Sequence, residues 1–160
     1  MNNLPTVGFI GLGLMGQAMA TNLLNAGFPL HIYSRSKHRA KTLINDGASW
    51  HNSPAEMAKN LAADIIVICV TDGPALQDVV AGEQGLIKHL APNTLVIDMG
   101  TSPFDLTQTL AKQVTAVGGQ YLDAPVSGGQ KGALEATLSV MVGGAEEPLT
   151  RAMPAFNAMA

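Results

Sequence analysis

The chain has 160 residues, of which 47% are hydrophobic and 13% charged, and its formal net charge is −3. This length suits one domain with a single sizeable core, and the composition excludes a disordered chain. An acidic balance without a basic run disfavours nucleic acid as a partner. The single cysteine, Cys69, excludes an intrachain disulfide. The sequence predicts neither a signal peptide nor a membrane span, so a cytoplasmic location is expected.

Strand and helix patterns alternate along the whole chain. Short apolar runs predict strands at 6–10, 30–34, 48–50, 65–70, 94–98, 121–123 and 138–142. Helical periodicity and capping signals predict helices at 14–25, 37–46, 54–61, 74–80 and 103–117, and one that begins near residue 146 and is still open at Ala160. This alternation predicts a single α/β domain over residues 1–160, with a Rossmann-type, doubly wound and mostly parallel sheet.

The first strand leads into a glycine-rich turn. Gly11, Gly13 and Gly16 have the G-x-G-x-x-G spacing of a dinucleotide-binding turn. Gly11 would allow the tight turn, Gly13 would let a pyrophosphate approach the backbone, and Gly16 would let the helix pack closely. The first N–H groups of the helix would then face the phosphates, with Leu12 and Leu14 in the same turn. The alternative is a tight βα turn that binds nothing.

The end of the second strand carries the residues that would select the cofactor. NAD-preferring folds place an acid here, to accept a hydrogen bond from the ribose 2′-OH. Ser34 stands in its place, followed by Arg35 and Ser36. Hydroxyls and a guanidinium can bind a 2′-phosphate that a carboxylate would repel, so the sequence favours NADP over NAD. The alternative is a solvated basic helix start that tolerates either cofactor.

Polar loops follow two later strands and should line the cofactor crevice. Each loop could equally supply turn or helix-cap residues, because Ser, Thr and Asp serve both purposes. Ser102 precedes Pro103 and is expected to be a helix cap, whereas Asp98 could hold the neighbouring loop. The predicted cofactor contacts in these loops are Val70, Thr71, Asp72 and Thr101.

The glycine-rich loop Ser127-Gly128-Gly129 follows a strand and is a candidate nest for a substrate carboxylate. A glycine-rich hairpin or connector is the alternative. The four histidines have no metal-ligand spacing, so no metal site is expected. Cys69 lies within an apolar run and is expected to be a core residue.

Two segments in this order and spacing, GFIGLGLMGQAMATNLLNAG and DAPVSGG, resemble the β-hydroxyacid dehydrogenase family, which includes 3-hydroxyisobutyrate dehydrogenase and tartronate semialdehyde reductase. The resemblance implies reversible, nicotinamide-dependent oxidation of a small β-hydroxyacid to its semialdehyde. It also implies site roles by position. Gly11, Gly13, Met15 and Gly16 would hold the pyrophosphate. Thr71, Asp72 and Thr101 would lie along the cofactor. Ser127, Gly128 and Gly129 would bind the substrate carboxylate. The family's Gly-Thr pair is Ala136-Thr137 here, which is a minor departure.

The family's catalytic lysine lies in a G-x-x-x-N-x-x-K pattern, which these 160 residues do not contain. The resemblance therefore implies the cofactor domain of a longer, homo-oligomeric enzyme, whose all-helical C-terminal substrate domain would lie beyond Ala160. The chain alone is expected to bind NADP(H) weakly and to catalyse no reaction. An imine reductase and a non-catalytic dinucleotide-binding module are the alternatives. DAPVSGG argues against the imine reductase, since a carboxylate nest does not suit an uncharged imine.

Overall fold

The computed structural model, which describes residues 3–60 and 64–160, contains a six-stranded sheet in which all paired strands are parallel. Its strands are β1 (Val7–Ile10), β2 (Leu30–Tyr33), β3 (Ser49–Trp50), β4 (Ile65–Ile68), β5 (Leu95–Asp98) and β6 (Gln120–Asp123). They lie in the order β3-β2-β1-β4-β5-β6. The chain order reverses between β1 and β4, and a crevice is expected there at the carboxyl ends of the strands.

Helices cover both faces of this sheet. They are α1 (Leu14–Asn25), α2 (Lys41–Asn45), α3 (Pro54–Asn60), α4 (Gly73–Ala81), α5 (Phe104–Ala116), α6 (Gly129–Glu135) and α7 (Glu146–Met159), with 3₁₀ turns at Lys37–Ala40 and Leu86–Lys88. A separate antiparallel pair, β7 (Val126–Ser127) and β8 (Ser139–Val140), flanks α6. This is the Rossmann-type α/β architecture that the alternating pattern predicts.

Strand β4 is buried on both faces, between β1 and β5. Successive side chains of a strand point to opposite faces. Ile65 and Val67 accordingly join one apolar cluster, while Ile66 and Ile68 join the other. The uninterrupted β-branched run in the sequence is the consequence of this double burial.

Most predicted elements are confirmed, and α1 has the predicted bounds. The predicted helix 37–46 is instead a 3₁₀ turn followed by α2, which ends before Gly47 at φ +112°. The predicted strand 65–70 ends at Ile68, because Val70 already belongs to the crevice loop. The predicted end of α3 at Leu61 lies outside the described residues.

The prediction that Ser127-Gly128-Gly129 is a loop is wrong at both ends, because Ser127 ends β7 and Gly129 begins α6, a helix that the sequence did not predict. Gly129 and Gly132 give this segment a low helix propensity, so its helix depends on packing. The Asn22 side chain on α1 donates to the Ala133 carbonyl at 2.8 Å. Gly132 is buried, and a Cβ there would stand 3.0 Å from the Leu138 side chain. Ala136, at φ +54°, ends the helix in the left-handed conformation.

The last helix, α7, is held against the amino ends of the strands by Arg151. Its guanidinium donates to the Gln120 side chain and, at 3.2 Å, to the Asp64 carbonyl. Glu147 accepts from the Gln120 amide at 2.7 Å and lies 4.0 Å from the Arg151 guanidinium. Two side chains of α7 therefore contact the first residue of β6, and one of them, Arg151, also contacts the residue before β4.

Candidate dinucleotide site

The glycine turn between β1 and α1 is shaped by two close backbone contacts. Gly11 has φ +100°, and a Cβ on it would stand 2.0 Å from the Cys69 carbonyl oxygen. A Cβ on Gly16 would stand 2.0 Å from the Gly11 carbonyl oxygen. Gly13 differs, since a Cβ there would meet no atom within 4 Å. The turn thus needs glycine at two positions for packing, and at the third it leaves the backbone open.

Gly13 is also the N-cap of α1, and no side chain caps the helix. The first N–H groups of a helix have no partners within it, and its positive dipole end favours an anion. An open backbone in front of an uncapped helix start can accept a phosphate group.

A cavity of about 500 Å³ opens at this turn, along the carboxyl ends of β1, β2 and β4. Most of the predicted cofactor contacts line it: Gly11, Leu12, Gly13, Ser34, Arg35, Ser36, Val70, Thr71 and Asp72. Four predicted contacts lie outside its wall. Leu14, Met15 and Gly16 form the first turn of α1, where Leu14 is 65% exposed. Thr101 is exposed in the loop after β5.

Other cavity residues are not among the predicted contacts. Arg39 reaches the wall because residues 37–40 form a tight 3₁₀ turn, in which the Arg39 amide donates to the Ser36 carbonyl at 3.1 Å. Pro54, Asp78 and Gln84 come from neighbouring helices and loops, and only the tertiary packing brings them to the cavity. The nearby cations Arg35 and Lys37 are the one sequence signal that could have indicated Arg39.

The basic end of the cavity lies after β2. Ser34 is 9% exposed, and its Oγ accepts from the Ser36 amide at 3.4 Å. Arg35 and Arg39 are both exposed, and among the described residues neither forms an ion pair with a carboxylate. Two guanidinium groups without carboxylate partners beside two hydroxyls can bind a phosphate group through charge-assisted hydrogen bonds.

Asp72 and Cys69 stand on the opposite wall. Asp72 is the N-cap of α4, and its carboxylate accepts from the Ala75 amide at 2.8 Å. The capping role weighed for Asp72 is therefore present, at a residue that also lines the cavity. Burial raises the pKa of the Cys69 thiol to about 11, with a smaller contribution from Asp98. The thiol is thus protonated near neutral pH and unsuited to act as a nucleophile.

Asp98, at the end of β5, holds the next loop. Its carboxylate accepts from the Gly100 amide at 2.9 Å and from the Ser102 hydroxyl at 2.7 Å. Ser102 is therefore not the predicted helix cap, since Pro103 is the N-cap of α5 and no side chain caps that helix. Burial raises the pKa of Asp98, the two hydrogen bonds lower it, and nearby Asp123 raises it.

The Ser127-Gly128-Gly129 segment lies outside the cavity wall. Ser127 pairs with Ser139 between β7 and β8, and all three residues of the segment are exposed. Gly128 has φ +137° and Gly129 has φ +63°. The Ala124 amide donates to the Asp98 carbonyl at 2.7 Å, so the chain leaves β6 beside the carboxyl end of β5. The segment thus follows a strand whose carboxyl end lies at the same edge of the sheet as the cavity.

Two histidines far apart in sequence meet across β2 and β3. His31 Nδ1 lies 2.7 Å from His51 Nε2, with the rings stacked at a centroid distance of 5.0 Å. Within residues 3–60 and 64–160, no three His, Cys, Asp or Glu side chains form a group that could hold a metal ion. None of the described helices has the length and hydropathy needed to cross a membrane.

The parallel sheet, the glycine turn and the cavity at the strand reversal define this class of protein as a Rossmann-type α/β domain. The sequence model of one family, described as the NAD binding domain of 6-phosphogluconate dehydrogenase, matches residues 6–160. The chain belongs to this family. The resemblance to β-hydroxyacid dehydrogenases is likewise confirmed by the relatives found.

Among curated relatives, the 2-hydroxy-3-oxopropionate reductase of Escherichia coli (strain K12) is 43% identical over 94% of this chain and 51% of its own length. The NAD-dependent L-serine dehydrogenase of Pseudomonas aeruginosa is 38% identical over 96% of this chain and 51% of its own length. The chain thus spans about half the length of the curated relatives it matches.

Solved structures agree with this assignment. Mycobacterium tuberculosis 3-hydroxyisobutyrate dehydrogenase with L-serine is 32% identical, with a TM-score of 0.89 over 98% of this chain and 52% of that one. Psf3 in complex with NADP+ and 2-OPP is 34% identical, with a TM-score of 0.87 over 96% and 54%. An imine reductase from Pseudomonas sp. is 28% identical, with a TM-score of 0.83 over 99% and 54%.

Proposed function

We propose that the cavity binds NADP(H), with the pyrophosphate at the open backbone of Gly13 and the adenosine 2′-phosphate beside Ser34, Arg35 and Ser36. The observation that carries this proposal is a single cavity wall that runs from the uncapped start of α1 to the basic end of β2. Arg39 adds a second guanidinium at that end. Asp72, one of the two acids that line the cavity, is engaged in capping α4.

We also propose that the site prefers NADP over NAD. Relatives include an enzyme named as NAD-dependent and a structure in complex with NADP+. The residues after β2 favour the phosphorylated cofactor, since Ser34 replaces the acid that would accept from a ribose 2′-OH.

Titration of the chain with NADPH and NADH tests the preference. The parent should bind NADPH more tightly. Arg35→Ala should weaken NADPH binding by about ten- to a hundredfold, the scale of a lost charge-assisted hydrogen bond, and leave NADH binding nearly unchanged. Lys112→Ala removes an exposed cation on α5 and is the matched control. An equal loss for both cofactors in Arg35→Ala would rule out a 2′-phosphate role for this residue.

We further propose that the chain is the cofactor domain of an oxidoreductase acting on a small β-hydroxyacid or its semialdehyde. When bound, NADP(H) would supply or accept the hydride. Ser127, Gly128 and Gly129 would bind the substrate carboxylate, which their exposure beside the carboxyl end of β6 permits. Reduction also needs a proton at the carbonyl oxygen, and the family's lysine that supplies it lies in a pattern these 160 residues do not contain. General acid catalysis of this kind contributes about 10²–10⁴-fold.

Two measurements test this second part. The isolated chain, saturated with NADPH, should reduce no semialdehyde above background. A version extended with the downstream sequence should reduce small semialdehydes that carry a carboxylate. Reduction of a semialdehyde by the isolated chain would contradict the proposal that the reaction needs the family's lysine. Reduction of neutral cyclic imines alone by the extended protein would favour an imine reductase instead.

A further inference from the structure

Asp98, the last residue of β5, connects this strand to the loop 100–102 and to the segment that follows β6. Its backbone carbonyl accepts from the Ala124 amide at 2.7 Å, at the start of the segment that leads to Ser127. One carboxylate oxygen accepts from the Gly100 amide and the other from the Ser102 hydroxyl. The residue is 0% exposed. A buried carboxylate with both oxygens engaged has little freedom to move, so the loop it binds is fixed as well.

The loop that Asp98 holds lies against the wall of the cavity. A Cβ on Gly100 would stand 3.1 Å from the Val70 carbonyl oxygen, and Val70 lines the cavity. The Met99 amide donates to the Ile68 carbonyl at 2.8 Å, which fixes the start of the loop beside β4. Residues 100–102 are therefore held between the cavity wall and the chain that leaves β6.

This loop is on the side of β1 away from the basic residues. The adenosine ribose of a dinucleotide is read at the end of β2, and the pyrophosphate crosses at the turn after β1. The nicotinamide half must then extend over β4 and β5, whose carboxyl ends carry Val70 and the loop 100–102. A displacement of this loop would alter the nicotinamide end of the site and leave the adenosine end intact.

We propose that Asp98 is a positioning residue that, through Gly100 and Ser102, holds the loop 100–102 at the nicotinamide end of the cofactor site. This inference rests on the proposed binding of NADP(H). It differs from that proposal because Asp98 itself touches no ligand, and its effect is confined to one half of the cofactor. Thr101, which is exposed between the two residues that Asp98 binds, is the side chain that the loop would present.

The test compares two ligands on the 160-residue chain. NADPH spans the whole site, whereas 2′-phosphoadenosine diphosphoribose lacks the nicotinamide. Ser102→Ala removes one hydrogen bond to Asp98 and should weaken NADPH binding by about tenfold, the scale of one hydrogen bond to a charged group, with no change for the shorter ligand. Ser102→Thr keeps the hydroxyl and should restore NADPH binding. Thr109→Ala, which removes an exposed hydroxyl from α5, is the control.

A second readout needs no cofactor. In the nitrogen-15 correlated NMR spectrum, the Gly100 amide proton should resonate downfield because it donates to a carboxylate. Asp98→Asn should move this resonance upfield, while residues of β1 keep their positions. An unchanged Gly100 resonance in a folded Asp98→Asn variant would overturn the inference.

The binding results separate the two proposals. If the parent chain binds neither ligand, the proposed cofactor function fails, and the positioning role at the cofactor fails with it. If the parent binds both ligands and Ser102→Ala weakens them equally, or weakens neither, the proposed function stands and the positioning role is wrong. Loss of NADPH affinity alone, restored by Ser102→Thr, supports the role of Asp98.

Discussion

The carbonyl oxygen of Gly11 occupies the place where a side chain on Gly16 would begin. A Cβ there would stand 2.0 Å from this oxygen, closer than real Cβ contacts allow. The contact holds the turn after β1 against the first turn of α1, so the backbone proposed to bind the pyrophosphate keeps this geometry only because Gly16 has no Cβ.

Substitutions at Gly16 and Gly13 should therefore separate the effect of the turn on stability from its effect on cofactor binding. Gly16→Ala should lower the free energy of unfolding by about 1–3 kcal/mol, because the backbone must shift to admit the methyl group. Gly13→Ala should lower the free energy of unfolding by less than about 1 kcal/mol, since its Cβ meets open space. It should nevertheless weaken NADPH binding at least as strongly as Gly16→Ala does. Urea unfolding and NADPH titration measure the two effects. Equal destabilisation by both substitutions would show that the close contact between Gly11 and Gly16 does not restrict which residue position 16 can hold.

Arg39 should contribute to cofactor choice although it lies outside the Ser34-Arg35-Ser36 motif. Arg39→Ala removes one of two guanidinium groups that line the basic end of the cavity. We expect about a tenfold loss of NADPH affinity, with NADH affinity within about twofold of the parent. Isothermal titration with both cofactors checks this, and Arg39→Lys should recover part of the loss. A variant indistinguishable from the parent would place Arg39 at the cavity without a role in binding.

The His31–His51 pair should make the fold sensitive to acid. Burial lowers the pKa of both imidazoles; His31 is lowered further by His51, whereas Glu56 partly offsets the shift of His51. In protonated His51 both ring nitrogens carry an N–H, and Nδ1 is a buried atom without a hydrogen-bond partner among the described residues. A lowered pKa in the folded state means that the unfolded chain binds protons more readily. Stability is then full above the ordinary histidine pKa of 6.5 and falls as the pH drops below it.

Urea unfolding between pH 7.5 and 5.5 measures this dependence, with the single tryptophan, Trp50, as the fluorescent probe. Solvent screening should keep the slope below the limit of about 1.4 kcal/mol per pH unit for one proton. His31→Gln removes one of the two titrating groups and should flatten the profile. Stability that rises on acidification through this range would contradict the assigned direction.

Arg151 should matter more to stability than the ion pair to which it belongs. Arg151→Ala removes hydrogen bonds to Gln120 and Asp64 and should lower the free energy of unfolding by about 1–3 kcal/mol. Glu147→Ala should cost less than about 1 kcal/mol, because the Glu147 side chain is 64% exposed, its contact with Arg151 is 4.0 Å long, and its one hydrogen bond, from the Gln120 amide, lies at the exposed surface. Thermal unfolding of the two variants gives the comparison. A larger loss from Glu147→Ala would reverse this ranking.

Local sequence signals were sufficient for the sheet and for the glycine turn. The β-branched run at β4 and the turn residues after β1 are set by neighbours in sequence and by burial, which periodicity reports directly. Ser53 caps α3, as its position before Pro54 predicts, whereas Glu56 accepts from the amide of the residue before the N-cap and not from the N-cap amide that a capping box uses. The Glu56 amide donates to the Ser53 hydroxyl at 3.0 Å, and the Glu56 carboxylate accepts from the Asn52 amide at 2.9 Å.

The features that the sequence did not reveal depend on tertiary packing. Helix α6 forms from a glycine-containing segment because α1 packs against it. Helix propensity is a local property of the sequence and does not predict that contact. The meeting of His31 and His51 requires the parallel pairing of β2 with β3. Ser102 has the sequence position of a cap, but its hydroxyl has a nearby carboxylate to bind, on Asp98.

Strand β4 has a further consequence for how the molecule opens. The strand pairs with β1 on one side and with β5 on the other, and its four side chains are at most 1% exposed. Its amide hydrogens should therefore exchange with solvent only when the whole domain unfolds. The two-residue edge strand β3, by contrast, can detach alone at low cost. The crevice floor at the strand reversal should then be the last part of the domain to open, while the side proposed to bind adenosine lies nearest the edge that opens first.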